Sequence, residues 1–243
     1  LREAGFGWFD LNVGCSVPKV LRQKAGAALL GQTDLLLEIA RAMLEAAGPG
    51  RVGFKLRLGV DDSRPVLPDL ALRLEDAGAG WLTLHPRTAR QGFGGHARTE
   101  ELARLAPRLS VPLLASGDLF TAADGLRCLR QCGVHGVMYA RGAMSNPAIF
   151  ADHAALRAGR DPLPPDVART RAMILRHMEL AREHGCGQAA VWKMRSAAPR
   201  YVRAVPGARA LRQALCRCKD WQETEEALDR FFSEAPADAE AES

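Results

Sequence analysis

The chain has no apolar run approaching the roughly 20 residues that cross a bilayer. Its first ten residues, LREAGFGWFD, lack the apolar core of a secretion signal. Neither a membrane span nor a secreted, disulfide-built scaffold is expected. A metal-ligand framework is missing as well. Among the six cysteines (Cys15, Cys128, Cys132, Cys186, Cys216, Cys218), Cys128 and Cys132 stand four apart on a helix-period segment. Cys216 and Cys218 are too close for a zinc knuckle. Reduced thiols in a cytoplasmic protein without bound metal are the expectation. There is no initiator Met, and the opening residues read as a helix end, so the sequence reads as a piece whose natural start lies upstream.

What is present is globular in composition: 243 residues, 47% hydrophobic and 25% charged. The net charge of +5 hides an asymmetry, because residues 166–219 hold 12 Lys/Arg against 3 Asp/Glu while residues 220–243 hold one Arg against 9 acids. A basic segment of that density points to a polyanionic partner or to a solvated helix face, and charge alone does not choose.

Two periods alternate over the first 150 residues. β-rich runs at 8–13, 52–58, 80–85, 111–117 and 136–141 are separated by helix-period segments such as TDLLLEIARAMLEAAG, with Thr33 or Asp34 as cap and Gly48 as stop. That alternation predicts a parallel sheet covered by helices. Every run carries polar residues at or just past its C-terminal end: Asn12 and Cys15, Lys55 and Arg57, His85 and Arg87, Ser116 and Asp118, then Arg141. In a (β/α)8 TIM barrel those ends share the face that holds the active site. A doubly wound sheet gathers such residues only near one switch point, so the barrel is preferred. Five units are present, which leaves the first three, on the order of 80 residues, outside this chain. The stretches ASGD (115–118) and ARGAMSNP (140–147) follow the last two runs with small residues, the usual place for a phosphate-binding site.

The order DLNVGCSVPKV…AGAALL, KLRLG, LHPRT, ASGD, ARGAMSNPAIF resembles the flavin-dependent tRNA-dihydrouridine synthases over about residues 1–230. The family patterns are D-x-N-x-G-C-P, K-x-R-x-G, H-G-R-T, N-G-D and G-R-[AG]-x-x-x-P-W. The resemblance implies a flavin-binding catalytic barrel domain over 1–160, a helical tRNA-binding domain over 166–232 and a disordered acidic tail over 233–243. It implies FMN as cofactor, NADPH as reductant, and reduction of specific tRNA uridines to 5,6-dihydrouridine. Cys15 would give the proton to C5 as catalytic acid, a task suited to thiols in general because their ordinary pKa lies within reach of neutral pH; the alternative for it is a small buried hydrophobe. Lys55 and His85 would hold the flavin, with Ser116, Gly117, Asp118, Ala140 and Arg141 at its phosphate. Asn12, Arg57 and Arg87 would orient the substrate base.

The C-terminal segments read as amphipathic helices. The family pattern R-K-H-x-x-W-Y-x-x-x-x-P-G-A persists as Arg195, Tyr201, Pro206, Gly207 and Ala208. Lys193, Arg195 and Tyr201 would contact tRNA, and the intact protein would be monomeric, with no membrane association. Departures from the patterns are Ser16 for Pro, Pro86 for Gly, Ser116 for Asn, Ala140 for Gly and Ala148 for Trp. In the helical part, Ser196, Ala197 and Arg200 replace Lys, His and Trp. Two other readings stand beside this one: another FMN barrel oxidoreductase related to dihydroorotate or dihydropyrimidine dehydrogenases, and a non-catalytic RNA-binding relative.

Overall fold

The computed structural model describes residues 1, 3–163, 166–203 and 205–234 and divides into two compact units, Leu1–Ala140 and Arg141–Ser243. In the first unit the expected alternation is present. The elements are β1 (Phe9–Asn12), α1 (Pro18–Arg22), α2 (Thr33–Ala47), β2 (Val52–Arg57), α3 (Asp69–Asp76), β3 (Trp81–His85), α4 (Thr99–Leu105), β4 (Leu113–Ser116), α5 (Ala122–Cys132) and β5 (Gly136–Met138). All neighbouring strands pair in parallel, in the order β1-β2-β3-β4-β5. This is the sheet of a partial TIM barrel, with β1 and β5 each paired on one side among the described residues.

Side chains alternate between the two faces of a strand, so the register sorts the sequence. Phe54, Leu56, Leu82, Leu84, Leu113 and Ala115 face the helices, and none is more than 1% exposed. Helix α2 meets them with Leu36, Leu37, Ala40, Leu44 and Ala47, its buried positions. Each such leucine contributes about 1.5–3 kcal/mol by leaving water. On the opposite face the paired positions Asn12, Lys55, Thr83, Leu114 and Gly136 form one layer. Arg57 beside His85, and Ser116 beside Met138, lie one layer nearer the C-terminal ends.

Several local expectations change. Neither Thr33 nor Asp34 caps α2: Gln32 precedes it without a side-chain cap, and Asp34 instead pairs with Arg73 of α3 at 3.0 Å. The full capping box belongs to α5, where Thr121 and Asp124 satisfy each other's backbone N–H. The glycine-dotted stretch after Cys15 is helical, forming α1 and a 3-10 helix over Gly26–Gly31.

The second unit contains α6 (Arg141–Ser145), α7 (Ile149–Arg157), α8 (Val167–His184), α9 (Gly187–Tyr201), α10 (Ala208–Arg217) and α11 (Trp221–Glu234). The sequence reading divides the chain near 160, whereas the compact units divide at 140, because α6 packs on α7 and α9. A second core of Ile174, Met178, Met194, Ala198, Val202, Leu211, Leu215 and Leu228 joins α8–α11. Gly185 permits the tight turn into α9, since a Cβ there would lie 2.1 Å from the Ala181 carbonyl oxygen. Ser233 and Glu234 belong to α11, and the rest of the acidic tail, expected to be disordered, lies outside the described residues. No described helix is long and apolar enough to cross a membrane.

Candidate active site

The polar residues of the first unit converge at the C-terminal ends of β1–β4. Asn12 ends β1 and turns back on its own strand, its Oδ1 accepting from Gly14 N at 3.0 Å. Cys15 follows, half-buried. Its carbonyl accepts from Ala27 N at 2.9 Å. Gly26, at φ 59°, lies so close that a Cβ there would sit 2.7 Å from the Cys15 oxygen. The AGAALL stretch is thus a brace for the cysteine loop, and glycine is required in it on both steric and conformational grounds.

Lys55 stands in the middle of β2, half-buried, and forms no hydrogen bond or ion pair with the described residues. Burial first, then the neighbouring Arg57, push its pKa below the usual lysine value, with Asp10 opposing. Beneath it Gly53 leaves room for the Trp81 indole, whose Nε1 donates to Asp10 Oδ1 at 3.0 Å. Asp10 is therefore a structural acceptor. Thr83, in the Lys55 layer, has a buried hydroxyl without a partner among the described residues.

Arg57 and Arg87, expected to orient a substrate, are 3% and 1% exposed. Most of their donors are already engaged. Arg57 donates from Nε to the Gly14 carbonyl at 2.8 Å and from Nη1 to the Thr88 and Gly92 carbonyls, both at 2.9 Å. Arg87 donates to the Gly94 and Gly95 carbonyls, to both oxygens of Asp118 at 2.9 and 2.7 Å, and to His85 Nε2 at 3.2 Å. All five N–H groups of its guanidinium are used. These two side chains hold the loop over residues 88–95 and the cysteine loop in fixed relation; Arg87 has no N–H left for a ligand, whereas Arg57 Nη2 forms no hydrogen bond among the described residues. Asp118, at φ 52°, also accepts from Ala97 N at 2.8 Å. Gly117 before it (φ 104°) could not carry a Cβ without approaching His85 Cδ2 to 2.5 Å. The departure at Pro86 fits this geometry. Arg87 N donates to the His85 carbonyl at 2.7 Å across Pro86, closing a three-residue turn that suits the ring-locked φ of proline.

Arginine has no acceptor, so the contact with Arg87 fixes His85 Nε2 as acceptor and leaves the proton on Nδ1. Burial, together with Arg57, Lys55 and Arg87 nearby, pushes the His85 pKa down to about 3. The unfolded chain takes up this proton near pH 6.5, whereas the folded one stays neutral until far lower. This contribution is complete above pH 6.5 and is lost as pH falls toward about 3. We expect a loss of about 1 kcal/mol between pH 6.5 and 5, after allowing for screening. His85→Gln should remove that share of the acid sensitivity, read as urea midpoints at pH 7 and pH 5. An unchanged pH slope in the variant would refute it.

The sequence reading missed Phe93. It stands 61% exposed on the braced loop, its ring 6.1 Å from the His85 ring and 5.7 Å from the Arg57 guanidinium. The one available signal was an aromatic set among glycines in QGFGGH. Ser116 ends β4, buried, and Ala140 ends the first unit. Arg141, Lys193, Arg195 and Tyr201 belong to the second unit. There Lys193 is exposed, Arg195 Nε is buried without a partner among the described residues, and Tyr201 shares a 2.9 Å hydrogen bond with His177 Nδ1. Among the described residues no group of three or more His, Cys, Asp or Glu is placed to hold a metal ion. Cys128 and Cys132 are buried thiols 3.9 Å apart, and burial pushes the Cys128 pKa up to about 12.

The sequence model of the family described as dihydrouridine synthase (Dus) matches residues 2–236. The chain is 34% identical over 227 residues to a probable tRNA-dihydrouridine synthase 1 of Synechocystis sp., covering 93% of this chain and 63% of that protein. It is 35% identical over 235 residues to a tRNA-dihydrouridine(16) synthase of Cupriavidus necator, covering 94% and 70%. A probable tRNA-dihydrouridine synthase of Aquifex aeolicus is 31% identical over 229 residues, covering 92% and 71%. The chain spans about three fifths of the Synechocystis relative and of a Mycobacterium tuberculosis relative, 63% and 59% of their lengths.

Proposed function

The chain belongs to the dihydrouridine synthase family, and we propose that it carries most of the machinery that reduces uridine in tRNA to 5,6-dihydrouridine with FMN as cofactor and NADPH as reductant. The observation that carries this reading is Lys55. An ammonium group set in the middle of a strand, half-buried and without a hydrogen-bonding partner among the described residues, is unfavourable unless something anionic or polar meets it. The pyrimidine edge of a reduced flavin is such a group. The unpartnered Thr83 hydroxyl in the same layer and the side-chain-free Gly117 beside His85 are consistent with a ligand on this face.

FMN supplies, when bound, a hydride for C6 of the uracil, and NADPH restores it. The remaining tasks fall to the chain. Lys55 would hold the flavin's pyrimidine edge, where its ammonium would favour negative charge. His85, neutral with its proton on Nδ1, serves as a hydrogen-bond donor there. Phe93 offers a flat apolar surface beside it. Cys15, on its braced loop, gives a proton to C5. Ser116, Gly117 and Ala140 contribute to the phosphate site. Asp118 contributes through the backbone it fixes, since its carboxylate is bound to Arg87 and would repel a phosphate. Arg57 and Arg87 position the loops, and Asn12, whose amide nitrogen forms no hydrogen bond among the described residues, orients the base. The second unit takes hold of the tRNA.

A titration of the chain with FMN, followed by visible absorbance, tests the reading. Saturable binding is expected, and Lys55→Met should weaken it about tenfold, the effect of one lost charge-assisted contact. Dihydrouridine formed on unmodified tRNA, with FMN and NADPH supplied, is then read as a gain of two hydrogens. Failure of the wild-type chain to bind FMN would refute the proposal.

A further inference from the structure

The cations of the second unit fall into two groups. Those of α8 are engaged: Arg169 pairs with Asp152 of α7, Arg171 with Asp229 and Arg182 with Glu225 of α11, all at 2.8 Å, and Arg176 with Glu179. By contrast, Lys193 and Arg200 on α9, Arg203 just after it, and Arg209 and Arg212 on α10 are exposed and form no ion pair among the described residues. Helix α9 itself contains Lys193, Arg195 and Arg200 and no acidic residue.

Trp192, next to Lys193 on α9, is 57% exposed. Gln188, Trp192, Ser196 and Arg200 follow one another at intervals of four, which places them on a single stripe of the helix, with Lys193 alongside. All five are exposed. The buried side of α9 is made instead by Ala190, Val191, Met194 and Ala198. Trp221, on α11, shows the alternative: it packs against the second core, with Arg182 5.2 Å from its ring. Trp192 therefore has no part in the core of its own unit. Leaving an indole in water is unfavourable in proportion to its apolar area. An exposed indole flanked by unpaired cations, with no carboxylate on the helix, has the two features that bind unpaired nucleotides: an aromatic face for a base and positive charge for the adjoining phosphates.

We propose that Trp192 stacks on an unpaired base of the tRNA, with Lys193 and Arg200 meeting the neighbouring phosphates. The proposal rests on the dihydrouridine synthase reading above and assigns a specific contact within it. It also gives meaning to a departure: the aromatic that the family pattern sets at position 200 is an arginine here, and an aromatic stands two helical turns earlier on the same stripe.

Binding of unmodified tRNA to the chain, measured at several salt concentrations, tests this. Trp192→Ala should weaken binding about tenfold or more, without changing the slope of log affinity against log salt. Trp192→Phe should recover most of the loss. Lys193→Ala should instead reduce the slope by about 0.7–0.9, one phosphate contact. Wild-type affinity in Trp192→Ala would overturn the inference and leave the family reading intact. Self-association of the wild type that Trp192→Ala abolishes, with tRNA affinity unchanged, would overturn it in favour of a protein contact. A wild-type chain that binds FMN but not tRNA would overturn both the inference and the assignment of the second unit to RNA.

Discussion

Cys15→Ala is expected to lower dihydrouridine formation on tRNA by about 10²–10⁴-fold, the usual contribution of one positioned proton donor, while FMN affinity stays at the wild-type value. The separation of the two effects follows from the local structure. The cysteine loop is held by backbone contacts, Ala27 N to the Cys15 carbonyl and Arg57 Nε to the Gly14 carbonyl. Neither involves the thiol. Removing the sulfur leaves the loop in place and takes away only the proton. Cys15→Ser should recover little, because a hydroxyl gives up its proton far less readily than a thiol. A Cys15→Ala protein that keeps more than a tenth of wild-type activity would remove the residue from the acid role.

The second large effect is on stability. Arg87→Ala is expected to destabilise the first unit by about 3–5 kcal/mol, because it strands a partly buried carboxylate and unpairs two loop carbonyls together. Asp118, Gly94 and Gly95 each lose a partner, and His85 loses the donor that sets its tautomer. Arg87→Lys should not restore the wild-type value, since one ammonium cannot reproduce a fork that engages five acceptor positions. Urea unfolding followed by tryptophan fluorescence, with Trp8 and Trp81 reporting from this unit, provides the measurement. A loss below about 1 kcal/mol would mean that the loop is held by something other than this arginine.

The two arginines also show why part of the site could not be read from the chain alone. K-x-R and H-x-R at the ends of two strands look like pairs of ligand-binding cations. Which member of each pair keeps its charge for a ligand depends on acceptors 31 to 43 residues away, the Gly14 and Thr88 carbonyls and the Asp118 carboxylate. No spacing rule reports that. Tyr201 is a similar case, with its hydroxyl taken by His177 from the preceding helix.

Sequence alone determined the alternation of five strands and their helices, because period-2 and period-3.6 patterns are local. It also placed the reactive side chains at strand ends, since a parallel sheet puts every such end on one side. The family followed from the order of the motifs. Tertiary structure decided what those side chains are free to do. Loop carbonyls and the Asp118 carboxylate take up all of Arg87 and most of Arg57, burial keeps His85 neutral, and the side chains of Lys55 and Cys15 form no hydrogen bond among the described residues. The same division holds in the second unit: composition revealed the excess of positive charge, but the ion pairs that α8 makes with α7, with α11 and within itself separated the cations that are neutralised from those that are not. Charge pairing is a property of neighbours in space, and the chain states only neighbours in sequence.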